Sequence, residues 1–298
     1  MVTMLRRRGA RWGWSNTTVA ATGWGESTYA EMAWDKSRSA ALRWGIAGAV
    51  VGAVAGIVAF APAAWLANAV ASATGHRLLL ADARGTVWSG SALPVLSGGP
   101  GSRDASALPG RMEWTLVPRG LGLELRARQA CCLNGAVILH VKPGFGRTTV
   151  TLAPPPGGIV GEWPSAWLGG LGTPFNTLQL GGSFRLSSPG IDFESVQGRW
   201  LVRGRADLDL MNASSRVSML ESLGSYRLTV NGDPAGAAQL LLSTLEGALQ
   251  LSGNGTLGAN GVRFRGEARA ASGDDAALSN LLNIIGRRDG ARSVISIG

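Results

Sequence analysis

Residues Trp44–Trp65 read WGIAGAVVGAVAGIVAFAPAAW, a run without a charged side chain. As a helix its roughly 22 residues span ~33 Å, enough for a bilayer core of ~30 Å. Nothing else in the chain is as long and as apolar. The run divides the sequence into residues 1–43, a transmembrane helix over 44–66, and residues 67–298 on the far side. Trp44 and Trp65 stand at its ends, where amphipathic rings favour the headgroup layer. Gly48, Gly52 and Gly56 repeat as G-x-x-x-G, a spacing that can let two membrane helices approach closely. Gly and Ala also abound throughout the chain, so the stripe fits plain composition equally well.

Ala67-Asn68-Ala69 and Ala71-Ser72-Ala73 have the form of a signal-peptide cleavage site. The apolar run exceeds the ~7–15 residues of a signal core and its leader is long, which favours an uncleaved anchor. Arg6, Arg7, Arg8, Arg11, Lys36, Arg38 and Arg43 precede the run. Positive charge beside a span marks the cytoplasmic side. The expected topology is a basic, unstructured cytoplasmic tail over 1–43, with the main domain across the membrane. Trp12, Trp14, Trp24 and Trp34 fall there without period, and Met32 offers an alternative start to Met1.

The chain has 298 residues and a net charge of +9. Nucleic acid is not the expected partner, because the arginines are scattered and no aromatic-basic module accompanies them. Beyond residue 75 the pattern changes to short alternating runs broken by glycines. Arg84–Gly90, Trp114–Val117 ended by Pro118, and Gly135–Val141 read as strands. So do Gly182–Ser187, Arg205–Leu210, Tyr226–Gly232 and Gly247–Ser252. In Arg205-Ala-Asp-Leu-Asp-Leu210, for example, Leu208 and Leu210 oppose Asp207 and Asp209. Period two with one polar face predicts antiparallel strands. The fold class is therefore mainly β: one membrane helix, then a large, curved antiparallel sheet with a few short helices. Helices are expected at Ser215–Leu223 and after Asp274/Asp275, the second carrying Leu278, Leu281, Leu282 and Ile285 and stopped by Gly286. A further turn is expected at Pro164–Leu168, and a last strand at Ser293–Ile297.

The catalytic inventory is poor, and neither a catalytic residue nor a metal or cofactor site is expected. His76 reads as interfacial, and His140 alternates within a strand without a sequence-adjacent partner. Gly253-Asn-Gly-Thr-Leu-Gly258 matches G-x-G-x-x-G, yet lacks the strand–helix context of a dinucleotide site and reads as a turn between strands. Asn212-Ala-Ser and Asn254-Gly-Thr fit the glycosylation pattern, which is too short to carry weight alone. Cys131 and Cys132 are adjacent, so a multi-bridge framework is excluded. Neighbouring Cα atoms lie closer than disulfides prefer, which leaves a vicinal bridge and two thiols both open.

Gly85-Thr86-Val87-Trp88-Ser89-Gly90, soon after an anchor, resembles the G-T-V-W-x-G signature of type II secretion system protein N. Trp114-Thr-Leu with Pro118, Leu171–Gly181, Leu223–Leu228, Thr244–Gly253 and Leu281–Gly286 resemble the same family, in the same order. The leader 1–43 departs from it. The resemblance implies a non-enzymatic inner-membrane component whose main domain is periplasmic, working with other type II secretion components to export folded proteins across the outer membrane. No small-molecule substrate is expected. A rival reading is a periplasmic lipid-handling protein with an open apolar β-groove.

Overall fold

The computed structural model describes residues 23–196, 199–232, 237–258 and 261–298; for residues 23–40, 199 and 200 only the backbone is described. The chain forms two units, residues 1–59 and 60–298.

In the first unit, α1 (Gly23–Ala59) is one helix of 37 residues. Its part Ala41–Ala59 is long and apolar enough to cross a membrane. Two expectations change here. The helix begins well inside the segment read as unstructured: Tyr29–Arg43 is rich in Ala, Glu, Met, Lys and Arg, all good helix formers, and extends a helix already nucleated. The rest of that segment, residues 1–22, lies outside the described residues. The apolar run also does not continue as one helix to Trp65, because α1 stops at Ala59 and a second helix starts after Pro62. Proline supplies no N–H to the preceding turn and suits a helix start.

The second unit opens with α2 (Ala63–Ala73). An antiparallel sheet follows, built from β1 (Leu78–Gly85), β2 (Ser89–Ser97), β3 (Ala105–Ala107), β4 (Met112–Arg119), β5 (Gly122–Gln129), β6 (Val137–Gly144) and β7 (Arg147–Leu152). Next come β8 (Ile159–Pro164), a 3₁₀ segment Ser165–Leu171, α3 (Phe175–Leu178), β9 (Leu180–Val196), β10 (Arg199–Ser215), β11 (Gly224–Gly232) and β12 (Ala238–Glu246). The chain closes with β13 (Leu249–Gly258), β14 (Gly261–Ala270), α4 (Asp275–Ile285), β15 (Arg287–Asp289) and β16 (Arg292–Ile297). The strand order is β1-β2-β4-β5-β6-β7-β9-β10-β11-β12-β13-β14-β16-β15, with β3 beside β2 and β8 beside β9. Short hairpin turns make this nearly a pure meander, the simplest solution for consecutive half-apolar strands.

Register sorts the side chains. Leu116, Leu125, Leu139, Leu152 and Ile191 stand opposite one another across five strands. Leu186, Leu208, Leu228 and Leu242 continue such a row. The other face carries Glu124, His140, Thr151, Asp192 and Arg203 in one row. Helices cap the apolar face at both ends of the sheet. Near β1, Ala63 of α2 packs with Leu80, Ala92 and Trp114. Near β16, Leu278, Leu281 and Leu282 of α4 pack with Leu249, Ala268 and Tyr226. Between them Val137, Leu152, Val160, Ile191, Val202 and Ala238 form a third buried cluster. Burying each leucine, isoleucine or valine among them contributes ~1.5–3 kcal/mol.

Further expectations are corrected. Ser215–Leu223 is a turn and not a helix: the Ser215 and Ser218 hydroxyls accept from Val217 N–H (3.4 Å) and Leu220 N–H (3.0 Å), satisfying donors a helix would otherwise use. Pro118 does not end β4. Leu116 N–H donates to Trp88 O at 2.7 Å, and Pro118 faces the same side two residues on, where β2 has not yet begun, so no ladder bond is lost. Gly253–Gly258 lies within β13 and is not a turn.

Candidate functional site

The segment Gly85–Gly90 is a hairpin and not the single strand its alternation suggests. Gly85 and Gly90 pair across it, and Gly85 has φ +88°, which favours glycine. A Cβ on Gly85 would sit 2.5 Å from Ser89 O. Thr86 N–H donates to Ser89 O at 2.9 Å, and Thr86 Oγ1 accepts from Ser89 N–H at 3.1 Å, closing the turn. Val87 faces two ways: its N–H donates to Ala61 O at 2.8 Å and its carbonyl accepts from Trp114 Nε1 at 3.1 Å. Thr86 also bridges to Pro62. Trp88 is half-buried, and its carbonyl receives Leu116 N–H at 2.7 Å. Trp114 is 3% exposed and lies on Gly90, where a Cβ would meet its Cζ2 at 2.6 Å. The motif is thus the clasp where the chain, arriving through Ala61 and Pro62, joins the sheet.

Beneath the clasp, a bulge between Ala81 and Arg84 places Asp82 at φ +49°. Arg111 fixes it, donating to Asp82 Oδ2 at 2.7 Å, to Asp82 O at 2.6 Å and to Ser91 Oγ at 3.1 Å. Hydrogen bonds from Arg111 and then Arg84 hold the Asp82 carboxyl below its usual range.

On the polar face, carboxylates lie in cages of arginine. Glu124 is 1% exposed and accepts from Arg119 and from Arg126 (2.6 Å), which hold its pKa down. His140 Nδ1 stands 3.7 Å from Glu124, beyond hydrogen-bond reach. Glu194 pairs with Arg147 (2.7 Å) and Arg203 (3.1 Å), and Asp209 receives both forks of Arg227 at 2.7 Å. Such bidentate pairing fixes geometry across strands. The sequence shows these residues but not their register, so only the fold brings them together. Among the described residues, no His140 partner is positioned for general-base work. No group of three or more metal-binding side chains occurs among the described residues.

The remaining sequence candidates lie elsewhere. Cys131 and Cys132 fall between β5 and β6, far from the clasp, with their sulfur atoms 1.95 Å apart. Cys131 is exposed and Cys132 buried, its carbonyl accepting from Glu162 N–H at 2.8 Å. Gly48 and Gly52 are exposed and Gly56 is half-buried, and none of the three has anything within 4 Å of an added Cβ. In β13, Gly253 and Gly255 lie under the Phe264 ring, 2.5 and 3.0 Å from an added Cβ. That is the covering of strand glycines by a cross-strand aromatic, not a phosphate loop.

The described residues thus define a class: a long antiparallel sheet whose polar face carries arginine-neutralised carboxylates, in a chain that also holds one candidate membrane span. The family model for type II secretion system protein N matches residues 76–295, and the chain belongs to that family. No curated protein and no solved structure matches it. The matched region begins just before β1 and includes the clasp hairpin.

Proposed function

We propose that this protein is a non-catalytic, single-pass inner-membrane component of the type II secretion system. Residues 60–298 stand on the periplasmic side and serve the assembly that exports folded proteins. The observation that carries this is the clasp. The residues that most resemble the family signature are those that fasten the sheet to the chain leaving the apolar helix, through Val87, Ala61, Pro62 and Trp114. Fastening the sheet to the segment that follows the apolar helix is what an anchored scaffold needs. The basic residues before Trp44 support a cytoplasmic N-terminus. In the periplasm the Cys131–Cys132 pair is oxidised to a vicinal bridge, which oxidising surroundings permit; alkylation before and after reduction reads this directly. The partners are other components of the secretion machine, recognised through backbone and side chains of the sheet.

The lipid-groove reading draws less support. The centre of the apolar face is buried, with Ile191 at 5% and Val202 at 1% exposure. A hollow of about 850 Å³ near the C-terminus mixes Leu241, Phe264 and Ile297 with Asn231, Arg263 and Arg265, so its lining is not a continuous apolar wall. The export role is tested by removing the protein from a secreting cell. Folded cargo then accumulates in the periplasm and is released again on complementation; unchanged export would overturn the proposal.

A further inference from the structure

We propose that the sheet end carrying the β4–β5 and β6–β7 hairpin tips rests on the phospholipid bilayer, with Leu121 and Phe145 in its headgroup layer. This rests on the reading of Ala41–Ala59 as a membrane span.

In an antiparallel meander the turns alternate between two ends of the sheet. The turn that joins β1 to β2, residues 86–88, lies at one end. Following the strand directions, the turns at Gly120–Leu121 and Phe145–Gly146 lie at that same end. The chain also enters the unit there: Phe60 directly follows the candidate span, and Pro62 bridges to Thr86. One end of the sheet therefore receives the covalent link to the membrane.

That end presents apolar side chains to solvent. Leu121 is 99% and Phe145 110% exposed, and Phe60 is 79% exposed. None of them helps to close its turn. Gly120 (φ +59°) and Gly146 (φ +65°) supply the left-handed conformations the hairpins need, so a polar residue would serve as well at 121 or 145. Thr115 pairs with Ser89, and β4 then continues to Arg119 without a β2 neighbour, so the tip stands clear of the clasp. The two tips are two strands apart, ~10 Å across the sheet, a spacing one flat surface can engage together.

Their flanks suit headgroups. Lys142, Arg119 and Arg147 are exposed beside the tips. Arg119 and Arg147 are neutralised in part by Glu124 and Glu194, which themselves are buried away from the surface. Apolar tips ringed by cations match a layer of phosphates over acyl chains. At the opposite end, the β10–β11 connection carries the exposed Met219 (89%), which serves as an internal comparison.

The test uses the full chain in its native membranes, with benzoylphenylalanine placed at position 121, 145 or 219. Irradiation is followed by alkaline carbonate washing and mass analysis of adducts. The expected result is retention in the membrane, phospholipid adducts at 121 and 145, and their loss at 219. Retention with protein adducts alone, with no adduct, or with equal lipid labelling at 219 overturns the docking and leaves the span standing. Release by carbonate overturns the span, and the docking falls with it.

Discussion

Replacing Trp114 with alanine is the sharpest perturbation of the clasp. The indole is 3% exposed, packs with Ala63, Leu80 and Ala92, and donates to Val87 O at 3.1 Å. Truncating a buried tryptophan costs ~3–5 kcal/mol through lost transfer energy and the cavity left behind. The Val87 carbonyl also loses its donor, a further ~1 kcal/mol if water does not replace it. Trp114→Phe keeps most of the buried area but not the N–H, so it should cost only ~1–2 kcal/mol. In a chain of this size Trp114→Ala corresponds to a fall in Tm of roughly 6–20 °C. The assay is urea unfolding of the detergent-solubilised full chain, followed by near-ultraviolet circular dichroism. A loss below ~1 kcal/mol for the alanine variant, or equal losses for alanine and phenylalanine, would refute the reasoning that this ring holds the junction.

Gly255→Ala should lose ~1–3 kcal/mol by overpacking, because its Cβ would lie 2.4 Å from Arg263 O and 2.9 Å from Phe264 Cα. Gly258→Ala, with nothing within 4 Å, is the companion expected to be nearly neutral in the same unfolding measurement. Leu282→Ala should cost ~2–5 kcal/mol, since Leu282 is 0% exposed on the inner side of α4, and a change under ~1 kcal/mol would argue against α4 as a cap of the sheet. Arg119 then Arg126 depress the Glu124 pKa, and Arg111 then Arg84 depress that of Asp82. Their contribution is therefore complete above the unfolded carboxylate range of ~4, and is lost as pH falls through the folded values. Glu124→Gln should flatten the acid side of a Tm-against-pH curve, and an unchanged slope would show that the cage does not couple to folding.

Much of the architecture was legible because it rests on local periodicity. Leu208 and Leu210 alternating with Asp207 and Asp209 announce both strand and face, and the register bears this out with Leu228 opposite Leu208 and Arg227 opposite Asp209. Asp274 to Gly286 was legible for the same reason, with Leu278, Leu281 and Leu282 on one helical side and all buried. Failures occurred where tertiary or side-chain chemistry overrides a local signal. Ser215 binds Leu178 O at 2.6 Å and so draws its segment into a turn. Phe264 covers Gly253 and Gly255, which makes a glycine-rich stretch serviceable as a strand. The clasp was visible as a string of letters, but its purpose depended on Trp114, 27 residues from Val87. The Glu124 cage joins Arg119 of β4 to Glu124 and Arg126 of β5, and no spacing rule in one sequence foretells that register.

The central claim, a scaffold within the secretion machine, is tested most directly by chemical cross-linking in membranes and recovery through a tag placed beyond Gly298. The account predicts co-recovery of other inner-membrane and outer-membrane secretion components, with recovery weakened when Trp114→Ala loosens the clasp. Recovery of lipid-transfer proteins, with no secretion component among the cross-linked products, would contradict it.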